Sequence, residues 1–466
     1  MNYLYLSLLT TLMTSSAQAQ QISLSSDDQT HLSVTFYAQD LGLIQDSRTL
    51  GPLSNEDQVI VKDVSQQMDP SSLQIQGAGK ITAQSLNKSV INYQSLMHSY
   101  IGKELILVKD NGANGGEIRQ KVKLLNLSAN TVIVGINNAI ESIPLHSDVW
   151  RFVFPKKPDN LLLQPSLTFN SEGKTGTNNI KLSYLSKGIA WQMDYVLELN
   201  KNRDKLQLKG LASLFNNTGI TFRDASIKLL AGHISQPQQR PPIEADSNMK
   251  MMLSANKLSV TPQSTGDLKL YKLPHKTTLH SGQQMQVPLL QGDSVNALAS
   301  YRYQFHVTPY IDNSQIKTNP SSYLTFINTS SSGLGMPLPA GQARVFSPDQ
   351  SGDLQFIGAS FLPQSAVNEK IELTTGKAFD LSISQRQSSH QKTFNGAVIG
   401  IALNINNSAA DDKTLDLSSS FSHDWEIISS TYPTTDKSGA AASWSIKLPG
   451  NSATIFNLQV RLKTKN

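Results

Sequence analysis

The chain has 466 residues, no cysteine, and a formal net charge of +5 from 40 Lys and Arg against 35 Asp and Glu. The lack of thiols excludes disulfides, thiolate metal ligands and a cysteine nucleophile, and the length exceeds what one hydrophobic core organises, so several domains are expected. The cations are scattered along the sequence rather than clustered, which reads as a solvated surface and argues against a nucleic-acid partner.

Residues 1–19 carry an apolar stretch over 3–13 and then Ala17-Gln18-Ala19, the small-residue form that a signal peptidase cuts. The mature chain is expected to start near Gln20. No later apolar run reaches the ~20 residues needed to cross a bilayer as a helix, so no transmembrane segment is expected after signal removal. A periplasmic or secreted location follows, and the absence of cysteine fits a bacterial periplasm.

Residues 20–92 read as an amino-terminal β-module. Leu32, Val34 and Phe36 alternate along 31–37, and Val59, Val61 and, less regularly, Val64 along 58–64. Asp69-Pro70-Ser71-Ser72 is turn chemistry. Residues 93–158 give a brief helical pattern over 93–100, then short apolar runs over 104–108, 121–127, 131–134, 139–143 and 150–154. Short strands with tight turns predict a small SH3-like barrel inserted in the chain.

Residues 159–466 form the carboxy-terminal region, expected to hold one or two β-sandwiches, and the stretch 182–232 is its most informative part. Ile189, Trp191, Met193, Tyr195, Leu197 and Leu199 occupy alternate positions, with Gln192, Asp194 and Glu198 between them on the face assigned to water. After a polar turn over 200–204, Leu206, Leu208, Ala212 and Leu214 repeat the alternation, which predicts a long hairpin. A turn over 216–219 then leads to a third strand of the same meander, starting with Ile227, Leu229 and Ala231. Pro237, Pro241 and Pro242 among Gln and Ser mark 233–266 as a mobile loop. Overall the sequence predicts an all-β, multi-domain β-sandwich protein with a small barrel insert.

Several segments resemble one family in the order in which that family has them. VTFYAQDLGLIQDSRTL and IVKDVSQQMDPSSLQIQG are similar to its amino-terminal β-module, and the 182–232 stretch to its core signature, here Trp191, Tyr195, Asn216, Thr218, Gly219 and Phe222, the last standing where the family usually has Trp. LYKLPHKTTLHSGQQMQVPLL, LTFINTSSSGLGMPLPAGQARVFS and ASWSIKLPGNSATIFNLQVRL continue the likeness. The family is the domain of unknown function 4139 family, also described as mucoidy inhibitor A-like. The resemblance implies a β-rich exported protein and no catalytic residues to carry over. Its members commonly place a coiled coil after the first module, whereas 93–155 of this chain show no sustained heptads.

Motifs that would carry chemistry are sparse. His275 and His280, five apart, fit neither a strand nor a helix template for a metal pair. The run 110–115 lacks the bidentate Glu of a calcium loop, and Gly173-Lys174-Thr175 lacks the earlier Gly of a phosphate loop. Asp194 and Glu198 would make a glycosidase pair only if another strand supplied the geometry. Tyr301, Tyr303 and Phe305 alternate and could offer a sugar-stacking platform if exposed, although such a stripe is more often half of a sandwich core. No catalytic, cofactor-binding or metal-ligating residue is therefore assigned. The expected role is a non-catalytic envelope interaction or scaffold protein whose partner is another envelope protein or a polysaccharide. The alternatives are binding or hydrolysis of cell-envelope polysaccharide, and a chaperone-like edge donor.

Overall fold

A computed structural model describes residues 20–463 except 55–56, 112–115, 148, 159–160, 173–175, 177, 233, 235–262, 266–267 and 422–423. The proposed signal over 1–19, most of the loop over 233–266, the end of the 110–115 run and the Gly173-Lys174-Thr175 motif lie outside the described residues. Strands account for 66% and helix for 4%, so the fold is all-β. No helix of the described residues is long and apolar enough to cross a membrane.

Two compact units divide the chain, one built from 1–190, 215–228 and 275–283, the other from 191–214, 229–274 and 284–466. These limits differ from the boundaries drawn on the sequence at 92 and 158. The strands after the insert complete the sheets that the first module begins. Ser166–Glu172 lies between Gln58–Lys62 and Lys80–Asn87 in a four-stranded sheet, and Gln21–Leu24 pairs in parallel with the free side of Gln58–Lys62. In a second sheet Phe222–Ala231, Gln29–Tyr37, Leu41–Leu50, Asn178–Ser186 and Gln74–Gln76 lie side by side. Leu32, Val34, Phe36, Val59, Val61 and Val64 are all buried, as their alternation requires.

The insert also belongs to the first unit. The helix Tyr93–Ser99 starts at a capping box in which the Asn92 side chain accepts from the Ser95 N–H and the Ser95 hydroxyl accepts from the Asn92 N–H. Five strands follow, Glu104–Asn111, Gly116–Leu127, Thr131–Ile136, Ala139–Pro144 and Trp150–Val153, the last pairing back onto the first. Ala139–Pro144 and Trp150–Val153 form the two ends of this sheet, and no pairing between them closes it among the described residues. A register shift between Leu124 and Asn126 bends the long second strand. One core, including Met97, Leu105, Leu124, Val134, Ile143 and Phe152, draws on the helix and all the strands.

In the second unit the sheet begins with Leu354–Leu362, Gly341–Pro348, Ile189–Leu199 and Lys205–Asn216, followed by the 25-residue strand Gln283–Val307. That strand serves two partners along its length. Residues 297–302 pair antiparallel with Ser321–Ile327, and 301–307 run parallel to Lys413–Phe421. Lys413–Phe421 and Ala441–Leu448 then face a five-stranded sheet of Gln315–Thr318, Leu381–Thr393, Gly396–Asn407, Ser452–Lys463 and Asp424–Ser430. Phe305, Leu403, Trp444 and Phe456 fill the space between the layers, a sandwich core.

The predicted hairpin forms, with Ile189–Leu199 next to Lys205–Asn216 and its six alternating apolar residues buried. The third strand does not continue that meander. Phe222–Ala231 joins a different sheet, because the turn over 216–219 redirects the chain through the left-handed backbone of Gly219, φ 86°.

Candidate functional site

The six signature residues are structural pins. In the second unit the Trp191 indole N–H donates to the Leu230 carbonyl at 3.2 Å, and the Tyr195 hydroxyl to that of Pro339 at 2.6 Å. Burial raises the Tyr195 phenol above its ordinary pKa, so it stays a neutral donor. In the first unit the buried Asn216 amide donates to the Ile220 and Leu279 carbonyls, while its oxygen accepts from the Thr218 N–H and hydroxyl. A Cβ on Gly219 would meet the Gln66 side chain at 2.6 Å. Phe222 packs edge-on against Phe36 with ring centroids 6.5 Å apart. Trp191 and Tyr195 belong to the second unit and the other four to the first.

Tyr301, Tyr303 and Phe305 pack on the sandwich core. Phe305 is buried, Tyr303 stacks beside it and donates its hydroxyl to Gln385 Oε1 at 2.6 Å, and the Lys413 ammonium lies over the Tyr301 ring. Their shared face is turned to the core rather than to a ligand. His275 and His280 are both exposed, and no cluster of three or more metal-ligating side chains occurs among the described residues.

The first unit contains a cleft of about 140 Å³ whose lining includes Gln29, Asp46, Arg48, Asp63 and Tyr184. Asp46 and Arg48 are two apart on Leu41–Leu50, so the pleat turns both to the buried side together with Ile44 and Leu50. Arg48 Nε and Nη2 donate to Asp46 Oδ2 at 2.9 and 2.7 Å, and Nη1 donates to the Leu24 and Lys62 carbonyls at 3.3 and 2.8 Å. Gln29 Nε2 donates to Asp46 Oδ1 at 2.7 Å. Burial, and then the Asp46 carboxylate, raise the Tyr184 phenol. A buried guanidinium that finds its acceptors inside the protein has little left to offer a ligand. It clamps one sheet to the strand ends of the other.

The second unit holds an Arg–Asp pair of a different kind, on the outward face of its first sheet. Cross-strand partners form rungs there: Phe361, Gln342 and Asp194; then Ala359, Arg344 and Val196; then Phe356, Phe346 and Glu198. Ala343 and Val345, between the outward residues of the middle strand, point into the core. Arg344 Nη1 donates to Asp194 Oδ1 at 3.1 Å, the Ser213 hydroxyl donates to Oδ2 at 2.6 Å, and Gln286 Nε2 donates to that hydroxyl at 3.0 Å. The Asp194 side chain is 8% exposed and that of Arg344 48%. The expectation that Asp194 stands on a wet face is thus corrected: it lies on the outward side, but Ser213 and Arg344 cover it. Glu198, four residues along the strand and so ~13 Å away, bonds Lys209 Nζ at 3.3 Å. That separation exceeds what a glycosidase pair requires. Around the pair, Phe356 and Phe361 stand 58% and 60% exposed, and Phe356 meets Phe346 edge-on at 5.7 Å.

A second recess, about 560 Å³, runs beside the helix Tyr93–Ser99 and is lined by Tyr93, Met97, His98, Leu127, Leu145 and His146. The Tyr93 hydroxyl donates to the Leu145 carbonyl at 3.3 Å, and burial raises its phenol. No family model matches the chain, and no curated protein matches it.

Sequence reasoning missed both Arg–Asp pairs. A signal for the first was present, since Asp46 and Arg48 fall in register with Ile44 and Leu50 on an alternating strand. None existed for the second, whose partners stand 150 residues apart.

Proposed function

We propose that this protein is an exported, non-catalytic binding module of the bacterial cell envelope, similar in organisation to the domain of unknown function 4139 family. The observation that carries this reading is the outward sheet face of the second unit. It presents Phe356 and Phe361 to solvent around a charge-balanced Arg344–Asp194 pair. Exposed aromatic rings beside an arginine are what binding surfaces use, and they cost a monomer solubility. The ordered likeness of the segments over 31–90 and 177–463 to the family, and the Ala17-Gln18-Ala19 cleavage form, support the exported setting. The polar groups of the cleft around Arg48 bond one another, which favours binding over catalysis for this chain.

The test is cross-linking in intact cells of a chain tagged at its carboxy terminus, with fractionation of the envelope. The expected outcome is a tagged product shortened by the leader and captured with an envelope component. Retention of residues 1–19 in a cytoplasmic fraction would contradict the reading.

A further inference from the structure

We infer that the outward face formed by Gly341–Pro348, Leu354–Leu362 and Ile189–Leu199 binds a neutral glycan chain, a ligand assignment that rests on the binding-module reading above. The register places Phe361 beside Gln342, and Phe356 beside Phe346, at either end of a stretch in which Arg344 stands between Gln342 and Phe346. From Gln342 to Phe346 is four residues of strand, ~13 Å, which is longer than one monosaccharide and open along the sheet. Ring, amide, guanidinium, ring is the order in which a pyranose chain presents its own surfaces. The C–H faces of the sugars stack on phenyl rings, and the hydroxyls at their edges both donate and accept hydrogen bonds.

Charge selects among glycans. Within these rungs each charged side chain has an opposite partner, Arg344 with Asp194 and Glu198 with Lys209. A face without net charge offers no attraction to a uronate or phosphate polymer. Arg344 nevertheless commits only one Nη to Asp194 at 3.1 Å while its side chain is 48% exposed, which leaves N–H groups for sugar oxygens. The exposed Gln342 amide adds a donor and an acceptor. The rings are separated by these polar groups, whereas the core of a protein–protein interface is a continuous apolar patch depleted of charge. Leu362, next to Phe361, and Ala343 and Val345, opposite, are buried, so the backbone that carries the rings is fixed in advance of binding.

The experiment is calorimetric titration of the full mature chain with cellohexaose, chitohexaose and an oligogalacturonate, repeated for Phe361→Ala, Phe356→Ala and Gln342→Ala. Phe394→Ala, at a ring 96% exposed in the turn after Leu381–Thr393, serves as the control. The expected result is binding of at least one neutral hexamer at about millimolar affinity or better, weakened about tenfold or more by each of the two face phenylalanine variants and unaffected by the control. All the substituted side chains are exposed, so the variants fold. Failure of both neutral hexamers to bind, binding indifferent to Phe356 and Phe361, or preference for the oligogalacturonate would each overturn the inference. A protein cross-linked through position 361 in cells, with no glycan binding, would also overturn it while leaving the binding-module reading intact.

Discussion

Each compact unit holds an Arg–Asp pair on a β-sheet, and the two do different work. In the first unit Arg48 and Asp46 come from the same strand, both buried, with the guanidinium further bonded to the Leu24 and Lys62 carbonyls. In the second unit Arg344 and Asp194 come from neighbouring strands, and the arginine is 48% exposed. Desolvation makes the closed pair obligatory, since losing either partner strands a charge in the interior. Solvent access makes the open pair cheap to alter and available to a ligand. What separates the closed pair from the open one is therefore the number of donors left over, not the identity of the residues.

The sharpest way to break the comparison is Arg48→Met. It should cost about 3–5 kcal/mol by leaving Asp46 uncompensated, read as a lower midpoint of urea unfolding, and a second change, Asp46→Leu, should return part of that loss. Asn216→Ala comes next, at about 2 kcal/mol, because the Thr218 N–H and the Ile220 and Leu279 carbonyls lose buried partners. Ser213→Ala should cost about 1 kcal/mol, since Asp194 keeps Arg344. Acid sharpens the role of exposed pairs. Arg302, followed by Lys370, holds the Glu372 carboxyl down at about 2. A depressed folded value stabilises the fold above the ordinary 4.5 and loses that contribution as pH falls from there towards 2. Glu372→Gln should remove this part of the acid dependence in a pH series of melting temperatures. The smallest effect is that of Phe361→Ala, within about 0.5 kcal/mol, because its ring is exposed.

The local patterns were legible from the residues. Alternation along 189–199 gave the buried face of Ile189–Leu199 residue by residue, and the helical pattern over 93–100 and the short apolar runs gave the helix and strands of the insert, because these depend on neighbours in sequence. What depended on distant partners was not legible. Phe222–Ala231 leaves the meander because it pairs elsewhere, a choice its own apolar pattern does not encode. Which strands border the insert's sheet, Ala139–Pro144 and Trp150–Val153, is likewise not encoded in their short apolar runs. Asp194 alternates like a solvent residue and is nonetheless covered, by Ser213 from the next strand and by Arg344 from a strand 150 residues on. The exposed Phe356 and Phe361 carried no signal, since a phenylalanine in a strand ordinarily faces the core.

The contrast between a closed pair and an open one is tested most directly by placing a photoreactive phenylalanine analogue at position 361 of the outward face, or in place of Arg223, which lines the Arg48 cleft, in the full-length chain, and irradiating intact cells. Adducts with an envelope component from position 361 and none from position 223 are the predicted result. Adducts from position 223 alone would move the binding site to the cleft and contradict the assignment of Arg48 and Asp46 to a purely structural role.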